Sequence, residues 1–328
     1  MVVRNLWQNS IAAIALILTG CQTVNNNSQA LAQSKPEIVA SHNVLCHFID
    51  VIAQETVDLT CLIDGGQDPH TYRATTSERK ALENAQVIFY GGYDLEPQII
   101  DLIEAVDPNV SKVAVHEAIG IEPIMSEHHH EEHSPETEES HTEELEADPH
   151  VWHDVYNAIA TIEYLQSALT QLNPDQSALY LENSARLTTQ LKQLHVWIQE
   201  QIATIPEEQR ILVTTHDSLN YYVKAYELTE YKTLQGLSPD DVPSAADLKN
   251  LVQEIRETSV PTIFTEATAN DRVITTAARE AGVKLSDREL LADGLGETGT
   301  NTDTYIKMMV NNTCAIAEGL GGNCQPFN

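Results

Sequence analysis

The chain has 328 residues, of which 49 are acidic and only 18 are lysine or arginine, so its formal net charge is −31. Binding to a nucleic-acid backbone needs clustered lysine and arginine, and this composition therefore argues against nucleic acid as a partner. The acidity suits the binding of cations, or solubility alone. The length is sufficient for one large or two medium-sized domains with substantial cores.

The N-terminus predicts export and lipidation. Arg4 precedes an apolar stretch at residues 11–18 that is too short to span a bilayer as a mature helix. This stretch leads into Leu-Thr-Gly-Cys, the pattern of a bacterial lipoprotein signal, so residues 1–20 are interpreted as a signal peptide and Cys21 as the lipidated residue. A plain secretory signal is the alternative. Residues 21–35 are polar and predict a flexible tether, which would hold the protein to a bacterial membrane in the periplasm or at the cell surface.

The four other cysteines are disulfide candidates. An exported chain with an even number of cysteines favours disulfides. Proximity in the sequence favours Cys46 with Cys61 and Cys314 with Cys324. None of them forms a CxxC pair, so the sequence does not indicate a thiolate zinc site or a redox motif.

From residue 36 the chain alternates predicted strands and helices, which is typical of parallel sheets covered by helices. In the first series the predicted strands are 38–40, 57–62, 87–90 and 113–115, and the predicted helices are 43–54, 77–84 and 155–171. In the second series the predicted strands are 210–215, 231–234, 262–265 and 283–285, and the predicted helices are 218–226, 244–258, 271–281 and 302–320.

A single long helix is predicted between the two series. Asn173 is a suitable cap and Pro174 fits the first turn, and no further Gly or Pro occurs before Pro206. We therefore predict an α/β fold of two Rossmann-like lobes with parallel sheets, residues 36–172 and 206–328, joined by one long helix at 173–205.

The tripeptide Asp-Pro-His occurs twice, at residues 68–70 and 148–150. Proline fixes its own φ and restricts the residue before it, so His70 and His150 are each presented from a stiff loop. The aspartate two positions earlier can accept a hydrogen bond from a backbone amide or from the second imidazole nitrogen. One such tripeptide is usually only a turn, but two in an exported acidic chain indicate a metal site. His153 is an alternative to His150 as the ligand.

The second series offers further candidates for this site. His216 directly follows a predicted strand, and ligands of open α/β sheets gather at the carboxyl ends of strands. Asp293 lies in the glycine-rich segment 290–299, where an aspartate alone would indicate only a turn. Glu266 also ends a predicted strand and is a candidate to orient a ligand from behind. Four other histidines lie in or beside predicted core elements and are interpreted as structural: His42, His47, His116 and His195.

Residues 127–147 form an acidic, histidine-rich loop. The candidates for weak accessory metal binding in it are His128, His129, His130, His133 and His141. Many like charges with few apolar residues cannot form a packed core, which predicts disorder in the absence of metal. We interpret the loop as a collector or sensor of extra ions, with a purely solubilising loop as the alternative.

Together these motifs resemble those of the substrate-binding proteins of bacterial zinc and manganese ABC importers, the cluster A-I or ZnuA/TroA-like family. The matching segments are DPHTY at 68–72, DPHVW at 148–152, THDSLNYYVKAY at 215–226 and LLADGLGETG at 290–299. The resemblance implies one ion in a cleft between two lobes that a rigid helix joins, and it implies a membrane permease and a cytoplasmic ATPase as partners. The implied ligands are His70, His150, His216 and Asp293.

The ligand chemistry independently favours zinc. Three imidazoles and one carboxylate form a four-coordinate set that suits Zn²⁺, whereas Mn²⁺ prefers more oxygen ligands and higher coordination. By the resemblance, some manganese-binding relatives have a glutamate where this chain has His216. Bidentate binding by Asp293 would enlarge the shell and admit Mn²⁺. We therefore predict a high-affinity zinc-binding component of an importer, with manganese or iron as alternative ions.

Other classes of function fit the motifs less well. A zinc hydrolase leaves a coordination position open for water and places a general base beside it. The sequence has no HExxH or G-x-S-x-G motif, so we predict no enzyme activity and no catalytic residues. A metal-dependent adhesin or a metal-storage lipoprotein is a further alternative. The protein is expected to be a monomer.

Overall fold

The structure, a computed structural model, describes residues 34–127, 145–239 and 243–328. The strands of its largest sheet are β1 (Glu37–His42), β2 (Asp58–Ile63), β3 (Val87–Tyr90) and β4 (Ser111–Ala114). All pairs are parallel and the order is β2-β1-β3-β4. β1 has neighbours on both sides and is buried apart from its first residue, so its carboxyl end lies in the interior of the protein.

Among the described residues, five α-helices precede the long helix. They are α1 (Asn43–Ala53), α2 (Thr76–Asn84), α3 (Pro97–Glu104), α4 (Val115–Ala118) and α5 (Val155–Leu172). A short antiparallel pair, β5 (Met125–Glu127) and β6 (Leu145–Ala147), flanks residues 128–144. α2 begins with a capping box in which the Thr75 hydroxyl accepts from the Glu78 amide and the Glu78 carboxylate accepts from the Thr75 amide.

The long helix is α6 (Ser177–Ile202), whose 26 residues extend about 39 Å at 1.5 Å per residue. Its buried face includes Leu187, Leu191, Leu194, Ile198 and Ile202, spaced three or four residues apart. It packs against α1 and α5 and also against the C-terminal helix, so one hydrophobic core contains residues from both series of elements.

α6 is shorter than the predicted helix 173–205. Pro174–Gln176 forms a separate turn of 3₁₀ helix before it. At the other end the amides of Thr204 and Ile205 bond to carbonyls three residues back, which tightens the last turn ahead of Pro206.

The second series contains parallel strand pairs. The strands are β7 (Ile211–Thr214), β8 (Glu230–Thr233), β9 (Thr262–Ile263) and β10 (Lys284–Leu285). β7 pairs with β8 and β9 pairs with β10, and a bond from the Phe264 amide to the Val213 carbonyl, 2.9 Å, places β9 beside β7. The helices are α7 (Asn220–Ala225), α8 (Ala245–Glu257), α9 (Asp271–Ala281) and α10 (Tyr305–Gly319).

Two disulfides join the cysteines in the pairs that proximity favours. Cys46 of α1 is bonded to Cys61 of β2, and Cys314 of α10 is bonded to Cys324 in the C-terminal segment. Each closes a short loop and therefore acts as a local clamp.

The mixed α/β class, the parallel sheets and the long helix are confirmed. Each predicted strand and helix is present, with ends that shift by up to four residues, the largest shift being at the start of α6, whereas α3, α4, β5 and β6 were not predicted. Within the described residues, none of the helices has both the length and the apolar character that crossing a membrane requires.

Candidate metal centre

Four residues from four different loops converge on one point. His70 lies between β2 and α2, His150 between β6 and α5, His216 just after β7, and Asp293 between β10 and α10. One ligand atom from each lies within 4.8 Å of the others. His70 is 8% exposed and the other three are at most 1% exposed, so the cluster meets solvent only at His70.

The distances in the cluster are those of atoms that share a small ion. Asp293 Oδ1 lies 3.4 Å from His70 Nε2, 3.4 Å from His150 Nε2 and 3.2 Å from His216 Nε2. His70 Nε2 and His150 Nε2 are 3.2 Å apart. Atoms bound to one tetrahedral ion at 2.0–2.2 Å lie about 3.3–3.6 Å from one another. These four separations are close to those expected around a four-coordinate ion.

Two of these atoms are buried and have no hydrogen-bond partner among the described residues: His216 Nε2 and Asp293 Oδ1. They are close together, but they are not aligned as donor and acceptor. A buried polar atom without a partner is costly, and a bound cation would satisfy both atoms.

Carboxylates behind two of the imidazoles fix their tautomers. His150 Nδ1 donates to Asp148 Oδ1 at 2.8 Å, and His216 Nδ1 donates to Glu266 Oε2. The neutral ring then presents a free lone pair on Nε2, the atom that faces the cluster. This arrangement of carboxylate, histidine and metal is common in metal sites and also makes the ligand more basic.

Glu266 is fixed by more than the imidazole. It is 1% exposed, and its Oε1 accepts from the backbone amides of Thr215 at 3.0 Å and His216 at 3.2 Å. The carboxylate therefore binds both the ring of His216 and the backbone that carries it. These contacts place Glu266 behind His216, and its role in orienting a bound ligand stays a prediction.

The two Asp-Pro-His loops are built alike. Asp68 Oδ1 accepts from the His70 amide at 2.9 Å, and Asp148 Oδ1 accepts from the His150 amide at 2.8 Å. Asp148 Oδ2 also accepts from Asn220 Nδ2 at 3.2 Å, so a residue of α7 supports the loop that carries His150.

Asp293 is held through its second oxygen. Thr268 Oγ1 donates to Asp293 Oδ2, which leaves Oδ1 as the atom that faces the imidazoles. The loop around Asp293 is fixed by Asn312, whose side chain donates to the Leu291 carbonyl at 2.8 Å and accepts from the Leu291 amide at 2.9 Å.

The loops of His70 and Asp293 also contact each other directly. Asn43 donates to the Asp64 carbonyl at 3.2 Å and accepts from the Leu295 amide at 2.7 Å, so one side chain joins both loops. Gly65 lies so close to Gly296 that a Cβ on Gly65 would be 2.2 Å from the Gly296 carbonyl oxygen. Only glycine permits this approach.

The charged groups shift one another's pKa values. Burial lowers the pKa of His216, but Glu266 and Asp293 outweigh it and raise this pKa well above its usual value. Burial also lowers the pKa of His150, but Asp148 and Asp293 raise it above its usual value. Burial raises the pKa of Asp293, but the imidazoles, His216 first, hold it well below its usual value. The metal-free site therefore retains protons that an ion must displace.

Other described histidines lie outside the cluster. His153 Nε2 donates to the Ala292 carbonyl at 2.7 Å, and burial lowers the pKa of His153 to about 4. The structure thus brings His150 into the cluster and not the alternative, His153. His42 and His116 are buried against each other and against Trp152, and burial lowers the pKa of His116 to about 3.

Several candidates lie outside the described residues. They are Cys21 and the accessory histidines His128, His129, His130, His133 and His141.

Comparison with known proteins places the chain in a family. Residues 38–319 match the family model described as ZnuA, the periplasmic component A of a zinc-uptake complex. The chain belongs to this family. Its members are solute-binding proteins of ABC transporters, not enzymes, and they work with a permease and an ATPase. The chain is thus a metal-binding, substrate-binding protein of an ABC importer.

Relatives in this family carry names for different metals. The chain is 30% identical over 308 residues to the zinc-binding protein TroA of Treponema pallidum, covering 93% of this chain and 95% of TroA. It is 29% identical over 311 residues to the manganese-binding lipoprotein MntA of Halalkalibacterium halodurans, covering 94% and 96%. The solved structure of TroA superposes with a TM-score of 0.77 at 29% identity, covering 88% of this chain and 99% of that one.

Proposed function

We propose that this protein is the extracytoplasmic zinc-binding lipoprotein of an ABC importer. It captures one Zn²⁺ with His70, His150, His216 and Asp293 and delivers the ion to the permease. The observation that carries the proposal is a buried set in which Asp293 Oδ1 lies 3.2–3.4 Å from three imidazole Nε2 atoms, two of which are 3.2 Å apart. This set suits four-coordinate Zn²⁺ better than Mn²⁺, which prefers more oxygen ligands.

The remaining parts of the proposal follow the sequence. The N-terminal signal pattern supports acylation at Cys21, and the word lipoprotein in the name of MntA is consistent with it. Residues 36–172 and 206–328 would act as two lobes about α6, and the protein would function as a monomer. The histidine-rich loop 127–147 would bind additional ions weakly. Manganese is the second candidate ion, favoured by the name of MntA.

Metal stoichiometry and competition on the purified mature protein test the proposal. We expect one tightly bound Zn²⁺ per chain in the wild type and its loss in His70→Ala, because that variant removes one of four ligands. His47→Ala is the matched control, since His47 lies on α1 outside the cluster. Undiminished tight binding after His70→Ala would refute the site.

A loop variant separates the main site from the accessory histidines. Glu127 and Leu145 are paired at the end of the β5–β6 hairpin, so residues 128–144 can be replaced by a two-residue Asn-Gly turn. We expect this variant to keep the single tight ion and to lose only weak binding. Loss of the tight ion would show that the loop contributes to the main site.

A further inference from the structure

The carboxylate of Asp293 uses its two oxygens differently. Oδ1 lies 3.2–3.4 Å from all three imidazole nitrogens and has no hydrogen-bond partner among the described residues. Oδ2 accepts a hydrogen bond from the hydroxyl of Thr268. The side chain therefore offers one oxygen to the site while the other is already bound.

The backbone fixes Thr268 beside the Asp293 loop. The amide of Ala267 bonds to the Leu290 carbonyl at 2.9 Å, and Glu266 and Leu290 form a parallel bridge. Thr268 is thus anchored within two residues of Glu266, which contacts His216. Because threonine is branched at Cβ, its χ1 angle is restricted, and the position of its hydroxyl is well defined.

We propose that Thr268 determines metal selectivity by holding Asp293 in a monodentate mode. This inference rests on the proposed function, because it assumes that the four residues bind an ion. Bound through Oδ1 alone, Asp293 completes a four-coordinate shell, which suits Zn²⁺. Bound through both oxygens, it would provide a fifth ligand and a larger share of oxygen, which suits Mn²⁺. The Thr268 hydroxyl favours the first mode.

Thr268→Val tests the role of the hydroxyl, because valine has nearly the same shape and cannot donate. Thr268→Ser keeps a hydroxyl and is the matched control. The measurements are the affinities for Zn²⁺ and Mn²⁺ by competition with a chelator, and the visible absorption of bound Co²⁺. Tetrahedral Co²⁺ absorbs strongly, and higher coordination weakens its bands.

In Thr268→Val we expect Zn²⁺ affinity to fall about tenfold, as for other residues that orient a ligand. Mn²⁺ affinity is expected to fall less or to rise, so the ratio of the two affinities shifts toward Mn²⁺, and the Co²⁺ bands weaken. Thr268→Ser is expected to behave like the wild type. Thr268→Ala removes the hydroxyl by a second route and should give the same shift in ratio as the valine variant.

Other outcomes would overturn the inference. Equal losses for Zn²⁺ and Mn²⁺ with unchanged Co²⁺ bands would assign Thr268 a structural role only. Wild-type affinities in a folded valine variant would show that the hydrogen bond does not matter. Neither of these two results would affect the proposed function. A wild-type protein that bound neither Zn²⁺ nor Mn²⁺ would refute the proposed function itself.

Discussion

Replacing Glu266 with glutamine removes one charge from behind His216 and keeps the shape of the side chain. In the wild type, Oε1 accepts from two backbone amides and Oε2 accepts from His216 Nδ1. If the glutamine oxygen keeps the two amides, its NH₂ group faces Nδ1, which must then accept. The neutral ring would carry its proton on Nε2, the nitrogen that the metal needs. If the glutamine side-chain amide is turned the other way, its NH₂ group faces the two backbone amides, which are also donors, and no hydrogen bond forms between them.

Either orientation costs a hydrogen bond to a charged group in a buried position. Such a bond contributes about 1.5–3 kcal/mol, and losing a residue that orients a metal ligand typically lowers affinity about 10–100-fold. We therefore expect Glu266→Gln to bind Zn²⁺ about 10–100-fold more weakly than the wild type.

The assay is competition for Zn²⁺ with a chelator of known affinity, accompanied by thermal unfolding of the metal-free proteins. Glu96→Gln is the matched control. Glu96 is fully buried, its Oε1 accepts from the Gly91 amide at 2.7 Å, and burial raises its pKa to about 7. It lies outside the cluster, so its variant should bind Zn²⁺ like the wild type.

The dependence on pH separates the tautomer effect from general damage. Without the Glu266 charge, the pKa of His216 falls, so fewer protons compete with the ion in acid. The difference between Glu266→Gln and the wild type should therefore grow as the pH rises. A folded Glu266→Gln variant with wild-type Zn²⁺ affinity at every pH would refute this account of the site.

Three further predictions concern protons and packing. Zn²⁺ binding near neutral pH should release protons, so the affinity should rise about tenfold per pH unit for each proton released. Calorimetry in buffers of different ionisation enthalpy measures this release, and a binding enthalpy that does not depend on the buffer would contradict the prediction. Because the folded pKa of His216 is raised, its pairing stabilises the metal-free protein fully below the unfolded value of 6.5 and is lost as the pH rises through the folded pKa. The increase in melting temperature caused by Zn²⁺ should therefore grow with pH. An increase that is the same at every pH would contradict this prediction. Asn43→Ala should lose about 1–3 kcal/mol of unfolding free energy, because the Leu295 amide loses its acceptor. Chemical denaturation measures the loss, and Asn84→Ala, at an exposed position, is the control. An unchanged unfolding free energy in Asn43→Ala would contradict the prediction.

The elements with strong local signals could be predicted from the sequence. Buried strands such as β7 have continuous apolar runs, and the cap of α8 at Ser244 is visible as a polar residue before a periodic helix. α3 was missed although Pro97 at its first turn and the spacing of Ile99 and Ile103 are helical signals. It is only eight residues long, and the Gly91-Gly92 pair before it resembles a loop.

The residues of the candidate cluster and the position of Glu266 behind it could be predicted from the sequence, but Thr268 and Asn43 could not. His70 and His150 are predicted because a stiff tripeptide repeats, and His216 because it follows a strand. Thr268 has no such signal: it lies on an irregular segment, and its contact with Asp293 depends on how two loops meet. Asn43 is further removed still, since it acts on Leu295 across 252 positions of the chain. Only the folded arrangement of the loops identifies these partners.

The charges around the cluster explain why a divalent ion suits it. Asp148, Glu266 and Asp293 are each at most 1% exposed, and uncompensated buried charge is strongly unfavourable. In the metal-free protein the raised pKa values of His150 and His216 supply positive charge in the form of protons. A divalent ion can take over this role with little change in the buried charge. The negative charge of the buried carboxylates is thus balanced by protons in the metal-free protein and by the divalent cation in the metal-bound protein. Removing one carboxylate disturbs the charge balance of both forms.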